Sequence, residues 1–176
     1  GATDELKAKS DLISKNFDDK ELDVLLASGE QVSCSLLSGA LIDLGVKARS
    51  WLGWQIPIVT NDNYTSSQII KIKTDEILSF ISNKGIAVIS GFQGVSMDNR
   101  ITTLGRGGSD LTAVAIAKFF GTDTCEIYTD VEGILTTDPL MYNEAKKIDK
   151  ISYEEMLEMA SLGAKVMQPN AVQASM

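Results

Sequence analysis

Histidine is absent from this 176-residue chain. That excludes the Ser-His-Asp and Cys-His arrangements of covalent catalysis and the histidine-bearing zinc sites. Any chemistry must rest on carboxylates, hydroxyls, lysine, arginine, backbone amides or a hard metal ion. Phosphoryl transfer suits that set, because it depends on positioning and charge neutralisation more than on a strong base. Cysteine is scarce, with Cys34 and Cys125 far apart and each among apolar neighbours. Both read as small core residues in a reducing compartment, which points to the cytoplasm. Positive charge is also short, with 16 Lys and Arg against 24 Asp and Glu and a net charge of −8. A nucleic-acid binder would show a basic face, so that partner class is not expected. No unbroken apolar run reaches the roughly 18 residues of a membrane span, and no signal-peptide pattern opens the chain.

What is present is an alternation of helix-like and strand-like segments, with no internal repeat or linker, so one domain over residues 1–176 is expected. Helical periodicity covers 3–16 and 20–44, the second ending at Gly45. Gly29 lies inside that second pattern and suggests a break or a close backbone contact. Strand signals fall at 48–51, 56–60 and 69–73, and a helix follows at 75–82 with Thr74 as its cap. The continuous apolar run at 86–90 and the segment Cys125–Thr129 read as strands buried on both faces. A strongly apolar helix spans 111–120, and Ser152 with Glu155 has capping-box spacing for a helix to about Leu162. Lys146–Ile148 reads as a short strand or a loop. In such a mostly parallel sheet, ligands sit beyond the carboxyl ends of the strands.

Four places could carry chemistry. Thr102–Asp110 contains three glycines in four positions, Gly105, Gly107 and Gly108, and runs directly into a helix. Free amides at a helix start and a close-approaching backbone make an anion cradle. Arg106, one of only three arginines, adds a planar double donor for carboxylate or phosphate. The same spacing also fits a plain strand-to-helix turn capped by Ser109 or Asp110. It is neither a P-loop nor a dinucleotide fingerprint. Thr129–Pro139 leaves the end of the expected Cys125–Thr129 strand with acidic and hydroxyl groups, suited to ribose hydroxyls or to nothing more than a polar turn. Glu30 could accept a substrate ammonium or sit exposed on its helix. Lys165 could reach a phosphate or complement a helix dipole.

Read together, the segments Glu21–Leu26, Gly29-Glu30-Gln31, Arg49–Gln55, Gly91-Phe92-Gln93-Gly94, the glycine loop, Tyr128–Gly133 and Gly163–Val166 resemble aspartate kinases of the amino-acid kinase family. The match runs in order along the chain. The Gly-Glu-Gln and Gly-Trp-Gln segments separate it from uridylate, acetylglutamate and glutamate kinases. The resemblance implies a three-layer αβα sandwich around a mostly parallel sheet. It implies phosphorylation of the L-aspartate side-chain carboxylate by ATP with Mg2+, towards lysine, threonine and methionine, and a homodimer. By the same resemblance, Arg106 and Asp110 are catalytic. Thr3, Glu30, Arg106, Gly107, Gly108 and Ser109 bind substrate. Thr129, Asp130, Leu135, Asp138 and Lys165 line the nucleotide site.

The chain departs from the family pattern in three respects. It starts at Gly1, past the family's Lys-Phe-Gly-Gly-Thr-Ser strand, and lacks the regulatory ACT domains. Leu135 and Leu140 stand where the family has a tyrosine and an arginine. Gln168 replaces the histidine of a His-Pro pair. These departures imply an incomplete domain with little turnover of its own, or a non-catalytic aspartate- or nucleotide-binding remnant.

Overall fold

The computed structural model describes residues 2–73, 75–164 and 166–176. Two helices open the chain, α1 (Ala2–Ile13) and α2 (Asp19–Asp43). The carboxylate of Asp18 caps α2 by accepting from the Lys20 and Glu21 amides at 2.9 and 3.2 Å. Gly45, with φ at 79°, closes it. No break forms at Gly29. Instead α1 packs against it, with Leu6 Cδ1 at an ordinary contact distance of 3.4 Å from where a Cβ on Gly29 would lie.

The strands form two sheets. In the first, β1 (Ala48–Trp51) pairs in parallel with β4 (Ile86–Ile89), from Ala48 opposite Ile86 to Trp51 opposite Ile89. The second comprises β2 (Ile58–Thr60), β3 (Ile69–Ile72), β5 (Gln93–Val95) and β6 (Ile101–Thr103), in the order β3-β2-β5-β6. Its pairings are parallel for β2 with β5 and antiparallel for the other two. The α/β class stands, with a sheet that is only partly parallel. Between and after the strands come α3 (Asp75–Ser82), α4 (Gly108–Phe120), α5 (Tyr153–Ser161) and α6 (Pro169–Ser175). Thr74, the expected cap of α3, lies outside the described residues.

Two apolar cores result. The larger joins Trp51, Ile56, Ile58, Ile72 and Ile77 to Ala115, Ile116 and Phe120 of α4. Each fully buried large side chain there contributes about 1.5–3 kcal/mol. The smaller joins Met156 and Ala160 of α5 to Val172 of α6. The predicted capping box at Ser152 and Glu155 is complete, with reciprocal bonds of 3.2 and 3.0 Å.

Three expectations are corrected. Cys125–Thr129 forms no strand and is largely exposed, Cys125 included. Its composition suits a strand, but a strand exists only through ladder partners, and none of the described residues pairs with it. The run at 86–90 is not buried on both faces, since Ile86 is 45% exposed at one end of a two-stranded sheet. The helix expected from Leu111 begins at Gly108, and α6 was not foreseen at all. Lys147 makes an isolated bridge to Leu135 rather than a strand.

Among the described residues, α2 is the one helix long and apolar enough to cross a membrane by length and composition. Here it lies along β1 and β6, with Asp23 buried on one face while Val32, Leu36, Leu37 and Ile42 are exposed.

Candidate active site

Two loops meet where β4 and β6 end. After β4 the chain runs Ser90-Gly91-Phe92 into β5, and after β6 it runs Leu104–Gly107 into α4. The Leu104 amide donates to the Phe92 carbonyl at 2.9 Å, joining them. The Phe92 amide donates to Thr112 Oγ1 at 3.0 Å, and that hydroxyl donates to the Gly108 carbonyl at 2.7 Å. Phe92 has φ at 66°, a left-handed conformation that costs on the order of 1–3 kcal/mol in a bulky residue. Its ring lies against Gly108, where a Cβ would approach Phe92 Cδ2 to 2.8 Å. Gly91 abuts the start of α4, with Ser109 Cα 3.2 Å from the position of a Cβ. A side chain at Gly91 would require Ser109 to give by a few tenths of an ångström.

Glu30 reaches the same place from α2. One turn before it, the Ala27 carbonyl accepts from Gln93 Nε2 at 3.2 Å, and Gln93 Nε2 also donates to Ser90 Oγ at 3.3 Å. One turn after it, Cys34 Sγ donates to the Val88 carbonyl at 3.1 Å. The turn of α2 that holds Glu30 therefore lies near the carboxyl end of β4. Burial pushes its carboxyl above the ordinary range. Asp110, in the first turn of α4, is pushed up by burial too. Arg106 and Ser109 are exposed at the mouth of the turn, while Gly107 and Gly108 form its floor. Gly107, with φ at 73°, precedes α4 as its N-cap and offers no side chain; the Gly108 amide donates to the Gly105 carbonyl at 3.0 Å, and the Ser109 and Asp110 amides have no partner among the described residues. Thr3 is exposed in the first turn of α1. That helix is held to Glu30's turn by the Leu6–Gly29 packing, and its Asp4 lies within electrostatic reach of Arg106.

Arg106, Gly107, Gly108, Ser109 and Asp110 thus lie together where β4 and β6 end, and the turn of α2 that holds Glu30 is bonded to Gln93, which follows the Ser90–Phe92 turn. The nucleotide-side residues are not joined to them. Thr129 and Asp130 are exposed, the Thr129 hydroxyl donating to its neighbour Asp130 at 3.4 Å. Asp138 accepts from the Leu140 amide at 2.8 Å in a local turn. Leu135 is half-buried beside Lys147. Among the described residues, no hydrogen bond links 124–150 to the glycine loop. Lys165 lies outside the described residues.

Sequence reasoning missed Asn170 and Asp23, and named Gln168 without its place over the glycine loop. Gln168 packs its side chain directly over Gly107, and Asn170 Nδ2 donates to the Arg106 carbonyl at 3.5 Å. Both belong to the start of α6, whose existence was not anticipated. Asp23 is fully buried and ties α2 to Thr65 and Thr103. Its place on the inner face of α2, seven residues before Glu30, was a signal that could have been read. Two shallow cavities lie elsewhere, one of about 380 Å³ against α5 and one of about 450 Å³ between β1 and α3.

The sequence model for the amino acid kinase family matches residues 1–176. The chain belongs to that family. Within it, this kinase-family chain is 49% identical over 164 residues to an aspartokinase of Rickettsia prowazekii, covering 93% of this chain and 37% of that protein. It is 48% identical over 172 residues to aspartokinase 2 of Bacillus subtilis, covering 98% and 42%. Among solved structures it is similar to Escherichia coli aspartokinase III in complex with aspartate and ADP, with a TM-score of 0.85, 31% identity, and 98% and 39% of the two chains covered. Aspartate kinase from Synechocystis superposes with a TM-score of 0.84 at 43% identity, covering 98% and 28%. The family chain therefore spans about two fifths of the length of the aspartokinases it matches. A UMP kinase from Bacillus anthracis, 20% identical with a TM-score of 0.62, shares the fold alone.

Proposed function

We propose that this chain carries the aspartate-binding part of an aspartate kinase. The observation that supports it most is the packing of the Ser90–Phe92 turn on the start of α4, where Arg106 is exposed, together with the bond from Gln93 to Ala27, one turn before Glu30. L-Aspartate presents one ammonium and two carboxylates. Glu30 would accept from the ammonium, while Arg106 and the amides of Ser109 and Asp110 would hold carboxylate, as charge-assisted bonds. Thr3, Ser109 and Asp110 would complete the rim.

In the reaction, a side-chain carboxylate oxygen attacks the γ-phosphorus of ATP, the bond to the β-phosphate oxygen breaks, and ADP leaves. No proton need be removed from the nucleophile, so a chain without histidine can perform this step. Mg2+ would arrive on the triphosphate as part of the substrate. Thr129, Asp130, Leu135, Asp138 and Lys165 would face the nucleotide. The exposed state of 124–150 favours a second, narrower reading, in which this polypeptide alone binds aspartate but turns over little ATP. A homodimer and a cytoplasmic location complete the proposal, checked by light scattering and by cell fractionation.

Titration calorimetry of the chain with L-aspartate, beside a coupled ADP-release assay, tests both readings. Aspartate binding that weakens about 10- to 100-fold in Arg106→Ala is the expected result, the size of one lost charged hydrogen-bond pair. Absence of aspartate binding by the unaltered chain would overturn the assignment.

A further inference from the structure

Asp23 is a carboxylate at 0% exposure with no cation among the partners described for it. Its donors are neutral and belong to just two residues. The Thr65 amide lies 3.0 Å from both carboxylate oxygens. The Thr103 amide donates at 2.9 Å and the Thr103 hydroxyl at 2.6 Å. Removing a charge from water is costly unless every acceptor position is filled, and this arrangement fills them with donors that have no other partner.

Both donors lead to the same backbone. Thr103 is the last residue of β6, two positions before Gly105. Thr65 holds φ at 66°, unusual for a β-branched residue, and its carbonyl oxygen lies 3.1 Å from where a Cβ on Gly105 would be. One carboxylate therefore fixes the chain entering the glycine loop and the loop packed against it. Asp23 and Glu30 share a face of α2, because seven residues make nearly two whole turns.

We propose that Asp23 is a positioning residue that sets the distance between Glu30 and the Arg106 loop, so that one rigid helix places both ends of the substrate site. This inference rests on the aspartate-binding reading above. An amide at this position would turn an Nδ2 donor towards one of the threonine donors and break the arrangement. A surface carboxylate or a simple helix residue would have no such reach.

The test compares the unaltered chain with Asp23→Asn by hydrogen exchange and by aspartate calorimetry. Amide exchange at 103–108 is expected to rise at least about tenfold while exchange in α5 stays unchanged, and aspartate affinity is expected to fall by at least about tenfold. Exchange that rises equally in α5, or a loop and an affinity that do not change, overturns the proposal. Should Asp23→Asn fail to fold, Thr103→Val removes only the 2.6 Å hydroxyl bond and is judged by the same two readouts. An unaltered chain that does not bind aspartate defeats the functional reading, whereas the exchange pattern at 103–108 decides separately whether Asp23 holds the loop.

Discussion

Gly91 and Ser109 touch backbone to backbone: a Cβ added to Gly91 would stand 3.2 Å from Ser109 Cα, 3.4 Å from its Cβ and 3.5 Å from its hydroxyl oxygen. The turn after β4 thus carries the first residues of α4. Gly91→Ala requires a shift of a few tenths of an ångström at Ser109, and Gly91→Val requires more. The expected outcome is a graded loss of aspartate affinity, about 3- to 10-fold for alanine and larger for valine. Calorimetry checks it, with circular dichroism as the control for folding.

Arg106 is exposed and makes no contact that the core depends on. Arg106→Lys keeps the charge but loses the planar double donor. Thermal stability should change by less than about 0.5 kcal/mol. Aspartate affinity should fall about tenfold or more, since a single point donor replaces a paired one. A lysine variant that binds as well as the arginine form would show that the loop does not use a bidentate contact.

Burial raises the Glu30 carboxyl above its ordinary value, so it is protonated at a higher pH than an exposed glutamate. Only the ionised form attracts an ammonium group. Aspartate affinity should therefore be full above that raised value and decline as pH falls through it, earlier than an ordinary glutamate would dictate. Binding near that pH should release protons, which calorimetry in buffers of different ionisation enthalpy detects. Stability runs the other way. A carboxyl raised in the folded state binds more protons there than when unfolded, so Glu30 contributes most at low pH, and that contribution declines as pH rises from the unfolded to the folded value. Glu30→Gln should remove the affinity profile.

Thr60 and Thr102 share a buried hydroxyl pair at 2.6 Å between β2 and β6, across β5. Replacing one by valine leaves the other hydroxyl buried without its partner, at a cost of about 1–3 kcal/mol. Replacing both should cost less than the sum of the two single changes. Chemical denaturation of the single and double variants measures that coupling.

The helices were largely legible in the sequence because their signals are local. Ser152 with Glu155 caps α5, Gly45 ends α2, and the glycine-rich turn leads into α4. The substrate-side candidates could be proposed for a related reason. A glycine turn at a helix start and a lone arginine within it are chemistry carried by neighbouring residues. The strand ends were legible only in part. Ile86–Ile89 forms its ladder with β1, whereas Cys125–Thr129, of similar composition, has no ladder partner among the described residues.

The sequence by itself determined the capping box of α5, the end of α2 at Gly45 and the glycine-rich lead into α4, and it excluded histidine chemistry. Only the tertiary structure decided that Asp23 is buried beneath the glycine loop, that Gln168 covers Gly107, and that the segment following α4 stays outside the sheets. The division has a physical cause. Caps and turns depend on hydrogen bonds over three or four residues, while the Asp23–Thr103 bond spans 80 positions and exists only once α2 and β6 have packed.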